Sequence, residues 1–267
     1  MDWRGSTEFI FRWLHVAAGI IWIGHLYFFN FVNAHLAKTY DADSKKKVVP
    51  ELMPRALYWF RWGAMYTWLT GILLLAYVYY MANNMVPLES TMSNGAASGI
   101  ALGILVFIFF VYDILWKSVK KETVGAVISY ILVVALLYGL SQIFIGRAVY
   151  AHIGGYFGTI MFMNVWMRIW PAQKKIIAGI KGTGPAADAS LVALAGLRSK
   201  HNTYMSVPLV YFMISNHYPV MYGSDQNWLV AAVVVLVGWL GTKLLYSKSG
   251  SPAPMAIGDQ AAKPPAA

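Results

Sequence analysis

Apolar runs long enough to cross a hydrocarbon layer recur along most of this sequence, each bounded by charge or turn residues. A helix needs about 20 apolar residues to span roughly 30 Å of hydrocarbon. The runs near 8–36, 57–82, 97–117, 123–145, 148–170, 204–218 and 227–246 supply them. In lipid an open strand edge leaves backbone groups unpaired, whereas a helix satisfies its own. The pattern therefore predicts an all-α, polytopic membrane helix bundle of about seven transmembrane helices. The sixth run is the shortest and carries Pro208, which membrane helices tolerate where neighbours satisfy the freed carbonyl. Composition agrees: 58% of the 267 residues are hydrophobic, 12% are charged and the mean hydropathy is +0.54, more apolar than a soluble domain requires.

Short loops rich in Lys and Arg stay on the cytoplasmic side. Lys38, Lys45, Lys46, Lys47 and Arg55 follow the first run, Lys117, Lys120 and Lys121 the third, Lys174, Lys175, Lys181, Arg198 and Lys200 the fifth, and Lys243 and Lys248 close the seventh. The opposite loops offer Arg4 and Arg147 against Asp2, Glu89 and Asp225. The N-terminus is therefore expected outside and the C-terminus inside. The net charge of +10 is a topology signal and not a nucleic-acid footprint. No basic n-region or A-x-A site marks a removable signal peptide. Residues 1–247 read as one transmembrane domain and 248–267, rich in Pro and Ala, as a disordered cytoplasmic tail. ADASLVALAGL at 187–197 has the spacing of a short amphipathic helix lying on the inner surface.

The chain has no cysteine. Disulfides, iron–sulfur clusters and covalent c-type haem are excluded, and any metal centre must rest on histidine, carboxylate or thioether. Ionisable residues inside membrane helices are costly and by default functional. With the expected topology, His15, His152 and His217 come from three helices and fall in one leaflet. Two neutral imidazoles facing each other across a bundle hold b-type haem without covalent attachment, and any two of these three suffice. Gly19 lies one turn from His15, and Gly154, Gly155 and Gly158 surround His152; they leave room for a ring, or serve as close helix contacts. Arg12 and Arg147 sit at the same boundary, where haem propionates or an anionic substrate need cations, or where long side chains anchor at the interface by snorkelling. His25 is about 15 Å deeper than His15 and, with His201, offers a second haem site toward the inner leaflet; His35 is expected in water. Asp113 and Arg168 are expected to form an ion pair near the inner helix ends, and Asn30, Asn164 and Gln142 to hydrogen-bond between helices. Trp59, Trp62, Trp68, Tyr79 and Tyr80 read as interfacial belts and packing, and Gly95, Gly99 and Gly103 as a helix-packing face. No phosphate loop, catalytic carboxylate pair or nucleophile elbow appears, and no catalytic residue is assigned.

RWLHVAAGIIWIGHLYFFNF at 12–31, RAVYAHIGGYFGTIMFMNVWMRIWPAQ at 147–173 and HNTYMSVPLVYFMISNHYP at 201–219 resemble the membrane domain of the bacterial cytochrome c-coupled urate oxidases (urate hydroxylases). The three stretches contain His15, His152 and His217. The resemblance implies a multi-pass protein of the bacterial inner membrane that takes electrons from a purine and delivers them to a c-type cytochrome. With no cysteine here, it also implies that the cytochrome is a separate partner and that the family's C-terminal cytochrome domain is lacking.

Three functions follow as expectations. The first is a redox protein with one haem b, extended to two if His25 and His201 also ligate, taking electrons from a substrate or a quinol. The second is a structural subunit among the other chains of a respiratory or photosynthetic complex, without its own cofactor. The third is a proton or anion transporter lined by the buried His, Asp and Arg.

Overall fold

The computed structural model describes residues 3–250. Among them there is no strand, and seven long helices account for most of the chain. They are α1 (Trp3–Leu36), α2 (42–80), α3 (Asn94–Ser118), α4 (Glu122–Ser141), α5 (146–181), α6 (Ala189–Ser215) and α7 (Asn227–Ser249). A four-residue helix, Pro219–Tyr222, sits in the connection between α6 and α7.

The helices alternate in direction. Asp113 near the C-terminal end of α3 bonds Arg168 of α5 and Arg198 near the start of α6, and His35 at the end of α1 bonds Ser249 at the end of α7 at 3.2 Å. At the other end, Tyr79 of α2 meets the start of α5 and Asn216, the residue after α6.

α5 is the centre of the bundle. From Ala148 to Val165 every residue is buried except Gly155, Gly158 and Met163, which are half-buried. α2, α3, α4 and α6 pack around it. Four helices, α1, α3, α4 and α7, are long and apolar enough to cross a membrane, and little of each is buried inside the protein. α2, α5 and α6 are less apolar because their polar groups face one another. Trp68 of α2 donates to Thr159 of α5 at 3.1 Å, and Asn164 of α5 donates to Asn202 of α6 at 2.9 Å. A helix whose polar side chains are satisfied by neighbours need not be apolar to be buried.

The charged segments 42–56 and 189–203, expected outside the spans, are helical and form the first turns of α2 and α6. α2 begins at Ala42, capped by Asp41, whose carboxylate accepts from the Ser44 N–H at 2.7 Å. α6 begins at Ala189, capped by Asp188, which accepts from the Ser190 N–H at 2.7 Å. The expected surface helix at 187–197 is thus the first turns of α6. Polarity ended the apolar runs there, but Lys, Ala and Leu are good helix formers, and a capped helix continues through them. Likewise α5 runs on to Lys181, where Gly182 takes the left-handed conformation (φ 80°) that ends a helix. α7 reaches Ser249, two residues into the expected tail, whose stretch from 251 lies outside the described residues.

Two further expectations are corrected. Gln142 is exposed at the end of α4 and bonds only its neighbour Ser141. Nothing beyond the local chain lies within van der Waals reach of a Cβ placed at Gly95, Gly99 or Gly103, so this stripe is not a helix-packing face. A close backbone contact between helices is made instead at Gly63 of α2, where an added Cβ would stand 3.1 Å from the Trp22 backbone nitrogen of α1.

Three stretches widen into π-helix: Phe28–Asn33 in α1, Ala76–Tyr80 in α2 and Val165–Ile169 in α5. Each places polar side chains at the interior, namely Asn30, the Tyr79–Tyr80 pair and Arg168. Such bulges recur at functional sites.

Candidate functional site

Two polar clusters lie at opposite ends of the bundle. At the end where α1 begins and α2 finishes, His152 of α5 is completely buried. Its Nδ1 lies 2.7 Å from the Ala148 carbonyl one turn earlier. A carbonyl can only accept, so Nδ1 carries the proton and Nε2 presents its lone pair. The Tyr80 hydroxyl donates to that lone pair at 3.0 Å. The rings of Tyr79, Tyr80, Phe144 and Tyr156 surround the imidazole at 5.5 to 6.1 Å.

Tyr79 joins this histidine to the cations. Its hydroxyl donates to Asn216 Oδ1 at 2.6 Å, with the Arg147 carbonyl at 3.3 Å, and Arg147, Arg12 and Glu8 are its charged neighbours. Arg147 Nε is buried with no hydrogen-bond partner. Arg12 pairs with Glu8 through Nε at 2.9 Å and Nη2 at 2.6 Å, each side chain one-third exposed.

His15, one turn beyond Arg12, is half-buried against α2, where its Nδ1 meets Thr70 Oγ1 at 3.1 Å. The single Thr70 hydroxyl proton goes to the Tyr66 carbonyl at 2.6 Å, so His15 donates from Nδ1 and its Nε2 is also unprotonated. Gly71 makes room for this ring, because a Cβ there would stand 3.0 Å from His15 Cε1. His25 repeats the pattern with Nδ1–H on the Ile21 carbonyl at 2.7 Å. His217 is exposed in the turn beyond the last residue of α6. A Cβ at Gly155 would meet Leu75 at 3.2 Å and one at Gly19 would meet Thr67 at 3.8 Å, so both are helix contacts of the small-residue kind.

At the opposite end, Asp113 is buried and holds three cations. Arg168 forks onto both carboxylate oxygens, Arg198 Nη2 reaches Oδ1 at 2.8 Å, and Lys117 Nζ reaches Oδ2 at 2.8 Å. The expected Asp113–Arg168 pair is therefore present and larger than foreseen. Arg198 was expected in a loop and is instead 1% exposed; Asn202, one turn on, is the interior residue on the same face that marks it as inward-facing. Beside it, Tyr112 Oη lies 2.7 Å from His201 Nδ1 and accepts from Asn164 at 3.1 Å. Trp116 covers the His201 ring at 3.9 Å. His35, expected in water, is half-buried. Tyr79 and Tyr80, read as interfacial belts and packing, also carry interior hydrogen bonds, which their apolar setting at a helix end did not reveal.

Among the described residues no group of three or more His, Cys, Asp or Glu is gathered as for a bare metal ion. The donor set fits haem in another way. An axial imidazole ligates through one nitrogen while the other N–H is held by a carbonyl or hydroxyl, and His15, His25 and His152 each have Nδ1 held by such an oxygen. At His152 the Tyr80 hydroxyl occupies the ligating position, so ligation requires that side chain to move.

Fold and site together define a membrane-type helical bundle with imidazoles and arginines held in its interior. The chain belongs to the urate oxidase N-terminal family, whose sequence profile matches residues 39–257. His152, His201, His217 and Arg147 fall inside the matched stretch, and His15, His25 and Arg12 precede it. No curated protein matches the chain, and no solved structure does.

Proposed function

We propose that this chain is an integral membrane redox protein holding b-type haem at the His152 end of the bundle, and that it passes electrons toward an external c-type cytochrome. The observation that carries the reading is His152 itself: a buried, neutral imidazole, fixed through Nδ1–H, with its Nε2 lone pair directed among aromatic rings. Nδ1–H on the Ala148 carbonyl leaves Nε2 as the nitrogen that would ligate once the Tyr80 side chain moves away. His15, whose Nδ1 is likewise held by an oxygen, that of Thr70, is the partner ligand in this reading. His217, exposed beyond α6, is the weaker member of the pool. Arg147, with its unpaired buried Nε, and Arg12 supply charge for the propionates or for an anionic substrate. Bound haem would supply one-electron transfer; the protein's residues orient it, exclude water and set its surroundings. His25 and His201 are the residues for a second haem in this reading.

All seven long helices cross the bilayer in this account, with the N-terminus outside, because Lys45 to Lys47, Lys117, Lys120, Lys121, Lys174, Lys175 and Lys181 gather at the end where α1 finishes. That places the His152 site toward the outer face, where a cytochrome docks. Family membership makes urate the first donor to test, followed by quinols.

The test is a pyridine haemochrome assay on the detergent-purified chain expressed with haem supply. One b-type haem per chain, or two, supports the reading, and reduction of added cytochrome c by urate would then identify the donor. Folded protein with no haem would overturn it and leave a subunit that scaffolds a larger membrane complex.

A further inference from the structure

The Asp113 cluster is electrically incomplete. Both carboxylate oxygens are fully used: Oδ1 accepts from Arg168 and Arg198, and Oδ2 from Arg168 and Lys117. Three cations surround one anion, an excess of two positive charges. Lys117 is 57% exposed and Arg168 23%, so solvent and lipid headgroups temper theirs. Arg198 has no such relief. It is 1% exposed, and its Nε and Nη1 are buried with no hydrogen-bond partner. Besides Asp113, the guanidinium lies 4.9 Å from the centre of the Tyr112 ring, whose hydroxyl accepts from Asn164, and the neutral amides of Asn164 and Asn202 bond each other. Glu122 is exposed and paired with Lys200 at 2.7 Å.

A buried charge is tolerated when it is paired and hydrogen-bonded, and leaving a guanidinium half-paired is costly. A water on Arg198 would complete hydrogen bonds but leave the charge uncompensated. We propose that a small monovalent inorganic anion, of halide size, binds between α3, α5 and α6 against the free guanidinium nitrogens of Arg198. The limit on size comes from the surroundings: Asn202 and Asn164 are fully buried and Asp113 nearly so, which leaves no opening for an organic acid. Binding there would lock α6 to α3 and α5 and make bundle stability depend on the anion present. The site lies at the opposite end of the bundle from the haem proposed at His152 and is independent of it.

The experiment uses the full detergent-purified chain, exchanged into gluconate and titrated with chloride and bromide. Saturable broadening of the ³⁵Cl resonance, together with a rise in thermal midpoint in halide over gluconate at equal ionic strength, is expected for the wild type. Both should be lost in Arg198→Met, in which Asp113 keeps Arg168 and Lys117, and retained in Glu122→Gln at the surface. Broadening that is linear in concentration and equal in wild type and Arg198→Met would overturn the proposal in favour of bound water. Should Arg198→Met fail to fold, wild-type crystals grown in bromide decide the matter. An anomalous peak within hydrogen-bonding reach of Arg198 Nε or Nη1 is expected, and bromide found only elsewhere would contradict it.

Discussion

Individual side chains in this bundle are fixed by hydrogen-bond accounting more than by shape. Ala148 O and Tyr80 Oη together determine which nitrogen of His152 carries the proton. Replacing Tyr80 by Phe removes the donor on Nε2 and leaves Nδ1 anchored, so Tyr80→Phe should retain haem and bind it at least as well as wild type in a haem titration. At the other end, Asp113→Asn strips the shared carboxylate from Arg168, Arg198 and Lys117. Breaking a buried pair by removing one partner costs about 3–5 kcal/mol, so a large loss of thermal stability is expected. Adding Arg198→Met to that variant should recover part of it, because the most buried of the stranded charges is then gone. The sequence made the first of these sites legible and half-hid the second. A histidine amid small residues stands out in an apolar run, as does Asp113. Arg198 does not, because it follows an Ala- and Leu-rich stretch among Ser and Lys, and only the continuation of α6 through that stretch turns it inward.

At the scale of the helix, caps and close contacts decide where elements begin and how near they approach. Asp41 and Asp188 have their carboxyls held below the ordinary aspartate range by the backbone and hydroxyl bonds of Ser44 and Ser190. A depressed folded value means the stabilisation is present above the unfolded pKa, about 3.9, and is lost as pH falls through the lower folded value. Amide exchange at Ser44 and Ser190 should therefore lose protection on acidification, with the helix interiors unaffected. α1 and α2 meet across Gly63, whose added Cβ would press on the Trp22 backbone. Gly63→Val should destabilise by about 1–3 kcal/mol in a thermal melt, whereas Gly99→Ala on the open stripe should not. Seven long helices in this order were readable from hydrophobic runs, and four of them are long and apolar enough to cross a membrane. The starts of α2 and α6 were not, since charge marks where an apolar run ends and not where hydrogen bonding does. The three π-helical stretches left no signal in composition.

For the whole molecule, the alternating helices divide polar chemistry between two ends, with imidazole and arginine at one and the Asp113 cluster at the other. The account places the α2–α3 connection outside and the α3–α4 connection inside. Since the chain has no cysteine, single substitutions read this directly: Leu88→Cys, fully exposed, should react with an impermeant maleimide on intact cells, and Lys121→Cys only after permeabilisation. The reverse labelling would invert the molecule and remove the outer face as the cytochrome-docking side. The family was legible from three stretches, two of which lie within the matched residues, while the first contributes α1 and His15. The central claim, that His152 holds a b-type haem, is tested most directly by reduced-minus-oxidised spectra of the wild type and His152→Ala purified side by side. The account predicts a b-type α-band and Soret shift in the wild type that is abolished or reduced severalfold in the variant, with helix content unchanged. Equal haem signals in both proteins would contradict it.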